Sequence, residues 1–271
     1  MPELPEVETT RRGIEPWLVG RRIERLVVRE WRLRWRIPRR LPGKIRGARI
    51  LTVERRAKYL LIATDAGTLI WHLGMSGSLR VLDKLSPPLV HDHVDLVLDS
   101  GRCLRFNDPR RFGCLLFTTG EPERHPLLAR LAVEPLSDRF AADDLWRRAR
   151  GRRASVKSFI MDSRIVAGVG NIYASEALFR AGIWPGLAAG RVSRARMAAL
   201  VSAIREVLNE AIGVGGTTLR DYVDASGMPG YFGQKLFVYE RSGKPCRRCG
   251  TPIRQFTQGQ RSTYWCPRCQ R

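Results

Sequence analysis

The sequence predicts a multidomain α+β protein in three parts, and three features lead to that expectation. Between Ile23 and Phe117 short apolar runs are separated by turn signals, the pattern of strands. Beyond Glu121-Pro122 the apolar segments read as helices interrupted by glycines. From Lys235 the chain is β-like again and carries four cysteines in two C-x-x-C pairs. The expected domains are 1–120, 121–234 and 235–271: a β-rich domain, a helical domain and a small module built around the cysteines.

In chain order, residues 5–18 are expected to form a helix, with proline in its first turn and Glu6 and Glu8 at its positive end. Trp31, Leu33, Trp35 and Ile37 alternate with Arg32, Arg34 and Arg36, which predicts a strand with one basic face. Further strands are expected near 57–64, 69–73, 78–82, 94–99, 103–106 and 114–118; so many short strands favour a sandwich of two sheets. Helices are expected at 145–150, 156–161, 171–181, 193–211 and 218–223, and the glycine-rich stretch 226–233 is expected to be mobile. In the tail, strands at 251–257 and 261–265 flank a turn at Gln258-Gly259-Gln260.

Composition narrows the partners. Forty-eight Lys+Arg against 26 Asp+Glu give a formal charge of +22 and a pI near 11, which attracts polyanions through counterion release. With 44% hydrophobic residues the chain can build cores, so intrinsic disorder is not the leading expectation. No segment has the apolar length of a membrane span, and the acidic Met-Pro-Glu-Leu-Pro-Glu start is not a signal peptide. Paired cysteines then suit a metal site in a reducing cytosol better than disulfides. Only six of the basic residues are lysines. A lysine kept in so arginine-rich a background is a candidate for chemistry that guanidinium cannot do, which singles out Lys58 and Lys157.

Cys246-x-x-Cys249, sixteen residues and Cys266-x-x-Cys269 can close a tetrahedral thiolate site across a β-hairpin. One zinc ion is expected there. A four-cysteine site has no open position for catalysis, so the ion is structural and the hairpin, Arg261 above all, is its cargo. At the other end, removal of the initiator Met would leave Pro2 with a free secondary amine whose pKa lies far below that of lysine. Attack by such an amine on a sugar C1′ gives an iminium with no proton to lose, an electron sink suited to elimination. Glu3 stands beside it as a general acid or base. Met-Pro-Glu is equally a start that many proteins tolerate, so this motif alone decides nothing. Gly168-Val-Gly170-Asn171 lacks the third glycine of a dinucleotide loop; it reads as a tight turn with Asn171 capping a helix whose N-terminus meets phosphate. His91-x-His93 could be a metal pair, but no further ligand lies nearby in sequence.

Several motifs together carry a resemblance. They are Pro2-Glu-Leu-Pro-Glu-Val-Glu8, Arg56-Ala-Lys58-Tyr, His72-Leu-Gly-Met-Ser-Gly-Ser78, Asp108-Pro-Arg-Arg-Phe-Gly113, Gly168-Val-Gly-Asn-Ile-Tyr-Ala174 and Gly215-Gly-Thr-Thr218, followed by the cysteine finger. In this order and spacing, over essentially the whole chain, the sequence resembles the bacterial formamidopyrimidine-DNA glycosylase family. The resemblance implies an N-terminal β-sandwich, a helix–two-turn–helix domain and a C-terminal zinc finger, acting as a monomer on double-stranded DNA with oxidised bases or abasic sites. It implies base excision repair of oxidised purines in the bacterial cytoplasm, at the nucleoid, by a glycosylase that is also a β,δ-lyase. By the same resemblance Pro2 is the Schiff-base nucleophile, Glu3 its proton donor, Lys58 the donor for β-elimination and Arg261 the residue of δ-elimination. The last two are read here more as DNA-contacting cations, since guanidinium gives up protons poorly. Met75, Arg110 and Phe112 resemble the trio that fills the gap left by a flipped nucleotide. His72, His91, Arg152, Lys157 and Asn171 resemble backbone contacts, and 217–234 resembles a loop that closes over the extruded base. The alternatives are an endonuclease VIII-type enzyme for oxidised pyrimidines and a non-enzymatic zinc-finger DNA-binding protein. Leu4, the 108–113 run and 215–218 favour the purine branch.

Overall fold

The computed structural model describes residues 2–83, 86–216 and 235–271. They fall into two units, 2–129 with 214–216 and 130–213 with 235–271. The expected helix at 218–223 and the stretch at 217–234 lie outside the described residues.

The first unit opens with helix α1 (Leu4–Leu18). Glu3 is its N-cap, and the Glu6 carboxylate accepts the Glu3 N–H at 2.8 Å, half of a capping box that satisfies amides the helix itself leaves unpaired. Leu4, Val7, Ile14 and Leu18 form its buried stripe. The strands that follow are β1 (Ile23–Val28), β2 (Ile50–Arg56), β3 (Tyr59–Thr64), β4 (Gly67–His72), β5 (Ser78–Leu82), β6 (Asp92–Leu98), β7 (Cys103–Asn107) and β8 (Cys114–Thr118), with a short helix α2 (Leu41–Ile45) after β1. They make two antiparallel sheets of order β1-β6-β7-β5 and β2-β3-β4-β8. Leu26, Leu79, Leu96 and Leu104 from one sheet and Val53, Ile62, Trp71 and Leu115 from the other share a single core with Val7, Ile14 and Leu18 of α1. Trp71 meets Phe106 edge-on across it at 5.5 Å. The expected sandwich is present.

One expected strand is not. Trp31 to Ile37 forms a loop, closed by Ile37 N–H to the Trp31 carbonyl at 3.0 Å and by a lone bridge between Arg32 and Arg36. Leu33 and Ile37 are nonetheless buried and the arginines between them exposed. The alternation therefore reports burial correctly but not pairing. Strands β1 and β2 are hidden in the sequence for the converse reason: each has a register shift, at Ile23/Arg25 and Ile50/Thr52, that breaks the two-residue period.

The second unit holds helices α3 (Ala142–Ala149), α4 (Val156–Met161), α5 (Asn171–Arg180) and α6 (Arg194–Gly213). Helix α6 buries Met197, Leu200, Val201, Ile204, Val207, Leu208 and Ala211, a helical stripe that packs on α5 and α3. Helix α5 is buried from Ile172 to Phe179. Among those residues Glu176 is charged, and its carboxylate accepts the backbone N–H groups of Phe237, Val238 and Tyr239 at 2.8–2.9 Å. The tail ends in the hairpin β9 (Arg254–Gln258) and β10 (Arg261–Trp265). Gly259 and Gln260 between them both have positive φ, as a two-residue turn of the type I′ kind demands. No helix among the described residues is long and apolar enough to cross a membrane.

Candidate active site and metal centre

Pro2 and Glu3 are both buried at the head of α1. The helix is fastened to the next element of the site by an arginine: Glu8 takes Arg55 Nε at 3.1 Å, and Arg55 Nη1 donates to the Ala57 carbonyl at 3.0 Å. Ala57, with φ +54, and Lys58 make the two-residue turn between β2 and β3, where Arg56 faces Tyr59. Lys58 therefore sits in the turn rather than within a strand. One residue on, Tyr59 pairs with His72 of β4, ring to ring at 4.7 Å. Burial, and after it the charges of Lys58 and Arg34, push the His72 pKa down to about 4, so the ring is neutral near pH 7. Its Nδ1 accepts the Gly74 N–H at 2.9 Å, which leaves the proton on Nε2 as a donor.

His72 leads into a turn that carries Met75, and this turn packs backbone to backbone on the one that carries Arg110 and Phe112. Gly74 has φ +70, and a Cβ there would meet Gly113 N and Phe112 C at 2.4 Å, so only glycine allows the approach. Asp108 joins the two turns. It is 0% exposed; Oδ1 accepts from Ser76 Oγ at 3.0 Å and Arg110 N at 3.3 Å, and Oδ2 accepts from Gly113 N at 2.8 Å. Its N–H donates to the His91 carbonyl at 3.0 Å, and its own carbonyl bonds His93 Nε2 at 2.9 Å. The result is a rigid base from which Met75 and Phe112 project, 39% and 43% exposed. The Arg110 guanidinium lies 4.9 Å from the Phe112 ring, whereas Arg111 (φ +54) is turned to Glu30 at 3.1 Å. His91 is exposed with φ +70; His93 is buried. Burial pushes the Cys103 and Cys114 thiols up to about 12, which leaves them unreactive at neutral pH.

In the second unit the Sγ atoms of Cys246, Cys249, Cys266 and Cys269 lie within 4.8 Å of one another, with Cys249 to Cys266 at 3.5 Å and Cys246 to Cys269 at 4.0 Å. Four sulfurs about 2.3 Å from a tetrahedral zinc stand roughly 3.8 Å apart, so the donor set fits one zinc with no vacant position. Bound there, the ion supplies folding and no chemistry.

Comparison with known proteins gives three successive matches. Residues 1–115 match the formamidopyrimidine-DNA glycosylase N-terminal domain, 131–223 the formamidopyrimidine-DNA glycosylase H2TH domain, and 243–271 a zinc finger found in FPG and IleRS. The chain belongs to the formamidopyrimidine-DNA glycosylase family. A formamidopyrimidine-DNA glycosylase of Methylococcus capsulatus is 62% identical over the whole of both chains. Among solved structures, the MutM (Fpg) protein of Thermus thermophilus is 42% identical, with TM-score 0.90 over 99% of this chain and 98% of that one. A Lactococcus lactis Fpg in complex with Fapy-dG containing DNA is 29% identical, with TM-score 0.91 over 99% of this chain and all of that one.

In this member of the glycosylase family, the remaining expected contacts divide. Arg152 is exposed and borders a groove with Arg148, Ser158 and Arg164. Arg261 is exposed at the exit of the hairpin turn, beside a pocket lined by Lys157, Ser158, Met161, Asp162, Gln258 and Gly259. Lys157 itself departs from expectation. It is 2% exposed, and Nζ donates to Asn171 Oδ1 at 2.6 Å, Thr263 Oγ1 at 2.8 Å and the Ser262 carbonyl at 3.2 Å. Three hydrogen bonds to protein acceptors thus hold its ammonium. Asn171 departs too. The N-cap of α5 is Gly170, without a side-chain cap, and the Asn171 amide donates to the Ser262 carbonyl at 3.0 Å. Three residues that matter to this geometry were not singled out from sequence: Asp108, Thr263 and Glu176. The signal for Glu176 was available, an acid amid an apolar helix, which must find partners if buried.

Proposed function

We propose that the chain is a bifunctional DNA glycosylase and abasic-site lyase of base excision repair. It excises oxidised purines, 8-oxoguanine opposite cytosine and formamidopyrimidines, from duplex DNA and then cleaves the strand. The observation that carries this reading is the end-to-end relationship to formamidopyrimidine-DNA glycosylases, one of them bound to Fapy-dG containing DNA. The functional division is 1–120 for catalysis, 121–234 for helical DNA binding and 235–271 for the zinc finger. The enzyme acts as a monomer in the bacterial cytoplasm, at the nucleoid.

In this reading the Pro2 nitrogen, freed by loss of Met1, attacks C1′ as the bond to the base breaks, and Glu3 delivers the proton the leaving base or its sugar needs. The iminium keeps its positive charge because a secondary amine has no second proton to lose. That charge acidifies C2′–H; removal of the proton expels the 3′ phosphate, and a second elimination expels the 5′ phosphate. Lys58 and Arg261 hold phosphates at these steps, and Lys58 can also pass a proton. His72 offers Nε2–H to the backbone without carrying charge, and His91 and Arg152 add contacts that position rather than read. Extruding a base costs a few kcal/mol. Met75 and Phe112 offset this by filling the gap, and Arg110 bonds the unpaired cytosine. Lys157 and Asn171 act at one remove, holding Ser262 and Thr263 behind Arg261.

The test is borohydride trapping of the untagged protein on a duplex with 8-oxoguanine opposite cytosine. A covalent adduct located on Pro2 by peptide mass is expected. An adduct formed only with thymine glycol would move the substrate to oxidised pyrimidines, and DNA binding without any adduct would overturn the enzymatic reading.

A further inference from the structure

The loop of Trp31 to Ile37 and the segment after it serve no role in the chemistry above, yet they concentrate charge. Arg32, Arg34, Arg36, Arg39 and Arg40 are all exposed. Glu30 is the acid among them, and it is occupied: Arg32, by side chain and backbone, and then Arg111 hold its carboxyl down at about 2. Among the described residues no carboxylate pairs with Arg34, Arg36, Arg39 or Arg40. Uncompensated guanidinium groups at this density repel one another unless anions screen them.

A merely solvated basic face would need no fixed geometry, and this one has it. Leu33 and Ile37 anchor the loop in the sandwich core, with Trp31 packed against that core. The Arg34 guanidinium lies 4.7 Å from the Trp35 ring and that of Arg39 lies 4.3 Å from the Trp31 ring. Stacking on an indole fixes the plane of a guanidinium while its N–H edges stay available for phosphate. The loop is also joined to the turn that bears Phe112: Arg34 N–H donates to the Gly113 carbonyl at 3.1 Å, and Arg111 reaches Glu30. Arg34 lies close enough to His72 for its charge to add to the lowering of that ring's pKa.

We propose that Arg34, Arg36 and Arg39 form a second phosphate-binding strip, which extends the DNA interface outward from the Phe112 turn along the sugar-phosphate backbone. The strip rests on the DNA-repair reading above and adds to it a contact outside the lesion. It reads no sequence. Its contribution is affinity through counterion release, so it is visible in the salt dependence of binding rather than in the choice of base.

The experiment compares three full-length, zinc-loaded proteins on a duplex with a tetrahydrofuran abasic analogue, by fluorescence anisotropy from 50 to 200 mM salt. They are the natural chain, the triple variant Arg34→Gln, Arg36→Gln, Arg39→Gln, and a control, Arg22→Gln, Arg25→Gln, Arg49→Gln, which removes the same charge from exposed positions of the same unit. Each phosphate contact contributes about 0.9 to the slope of log affinity against log salt, so the triple variant is expected to lose about 40-fold less affinity across this range than the natural chain. The control is expected to track the natural chain. Equal slopes for all three proteins, with binding intact, would overturn the strip and leave the repair reading untouched. Equal reductions in both variants would also overturn it, since net charge alone would then account for the effect. A natural chain that fails to bind the duplex would instead overturn the repair reading. The single variant Arg36→Gln, expected to lower the slope by about 1, keeps the test open if the triple variant melts early.

Discussion

Asp108 in the first unit and Lys157 in the second are both buried ionisable residues, 0% and 2% exposed, and the side chain of each has three hydrogen-bond partners described above. They organise their surroundings in opposite ways. The partners of Asp108 are groups of two turns, Ser76 Oγ and the N–H groups of Arg110 and Gly113, and what those turns display is outward: Met75, Arg110 and Phe112. The partners of Lys157 lie on α5 and β10, and the lysine is almost wholly covered. One hub is an acid that shapes an exposed surface; the other is a base held between a helix and a strand of a strongly basic protein. Residue type and net charge therefore do not separate displayed side chains from their supports, and burial does.

The comparison breaks most easily at Lys157. Lys157→Met removes the ammonium from three acceptors and is expected to destabilise by about 3 kcal/mol, read as a lowered melting temperature. Lys157→Arg should not restore it, because a planar guanidinium does not fit a site shaped to an ammonium. A Met variant that melts normally but loses DNA affinity would make Lys157 a phosphate contact after all. Asp108→Asn is the counterpart. Its amide turns a donor toward Ser76 or the Gly113 N–H, at a cost of about 2 kcal/mol, with faster hydrogen exchange confined to the two turns. Exchange that rises across the whole unit would show that Asp108 supports the fold rather than the turns.

The smallest effect belongs to His72 and is a pH dependence. The folded ring takes up its proton near pH 4, the unfolded one near 6.5. Between those values the unfolded chain binds more protons, so the contribution of the neutral ring is complete above pH 6.5 and is lost as pH falls toward 4. His72 keeps some exposure to solvent, which screens the effect, and about 1 kcal/mol is expected. The check is the difference in unfolding free energy between the natural chain and His72→Asn across that window. Parallel curves would mean that His72 does not titrate abnormally.

Much of this was legible in the sequence because it depends on local pattern. Strands β5 and β8 and helix α4 fall where apolar spacing put them, and the cysteine pairs stand where a hairpin would bring them. What was not legible depends on who meets whom. Nothing in Trp31 to Ile37 says that Ile37 bonds Trp31 rather than a neighbouring strand. Nothing at Lys157 says that Thr263, more than a hundred residues on, accepts its hydrogen bond. Asn171 followed its glycines as a cap should, but the backbone of Ser262 and the ammonium of Lys157 claimed its amide first. Pro2 is a different case. Its chemistry was read from amine reactivity and from the family resemblance, and the structure adds its burial beside Glu3.

The cysteine hairpin is held at both of its ends. Before it, Glu176 grips the amides of residues 237–239; after it, Gln270 donates to the Ile183 carbonyl at 2.8 Å and Arg271 exchanges backbone bonds of 3.1 Å with Gly182 and Trp184. The ion thus determines the hairpin's internal shape, while α5 and the residues after it determine its heading. These two properties can be inherited separately. A finger transplanted from a distant relative could fold and load its metal in full, and still point Arg261 the wrong way for want of one buried glutamate.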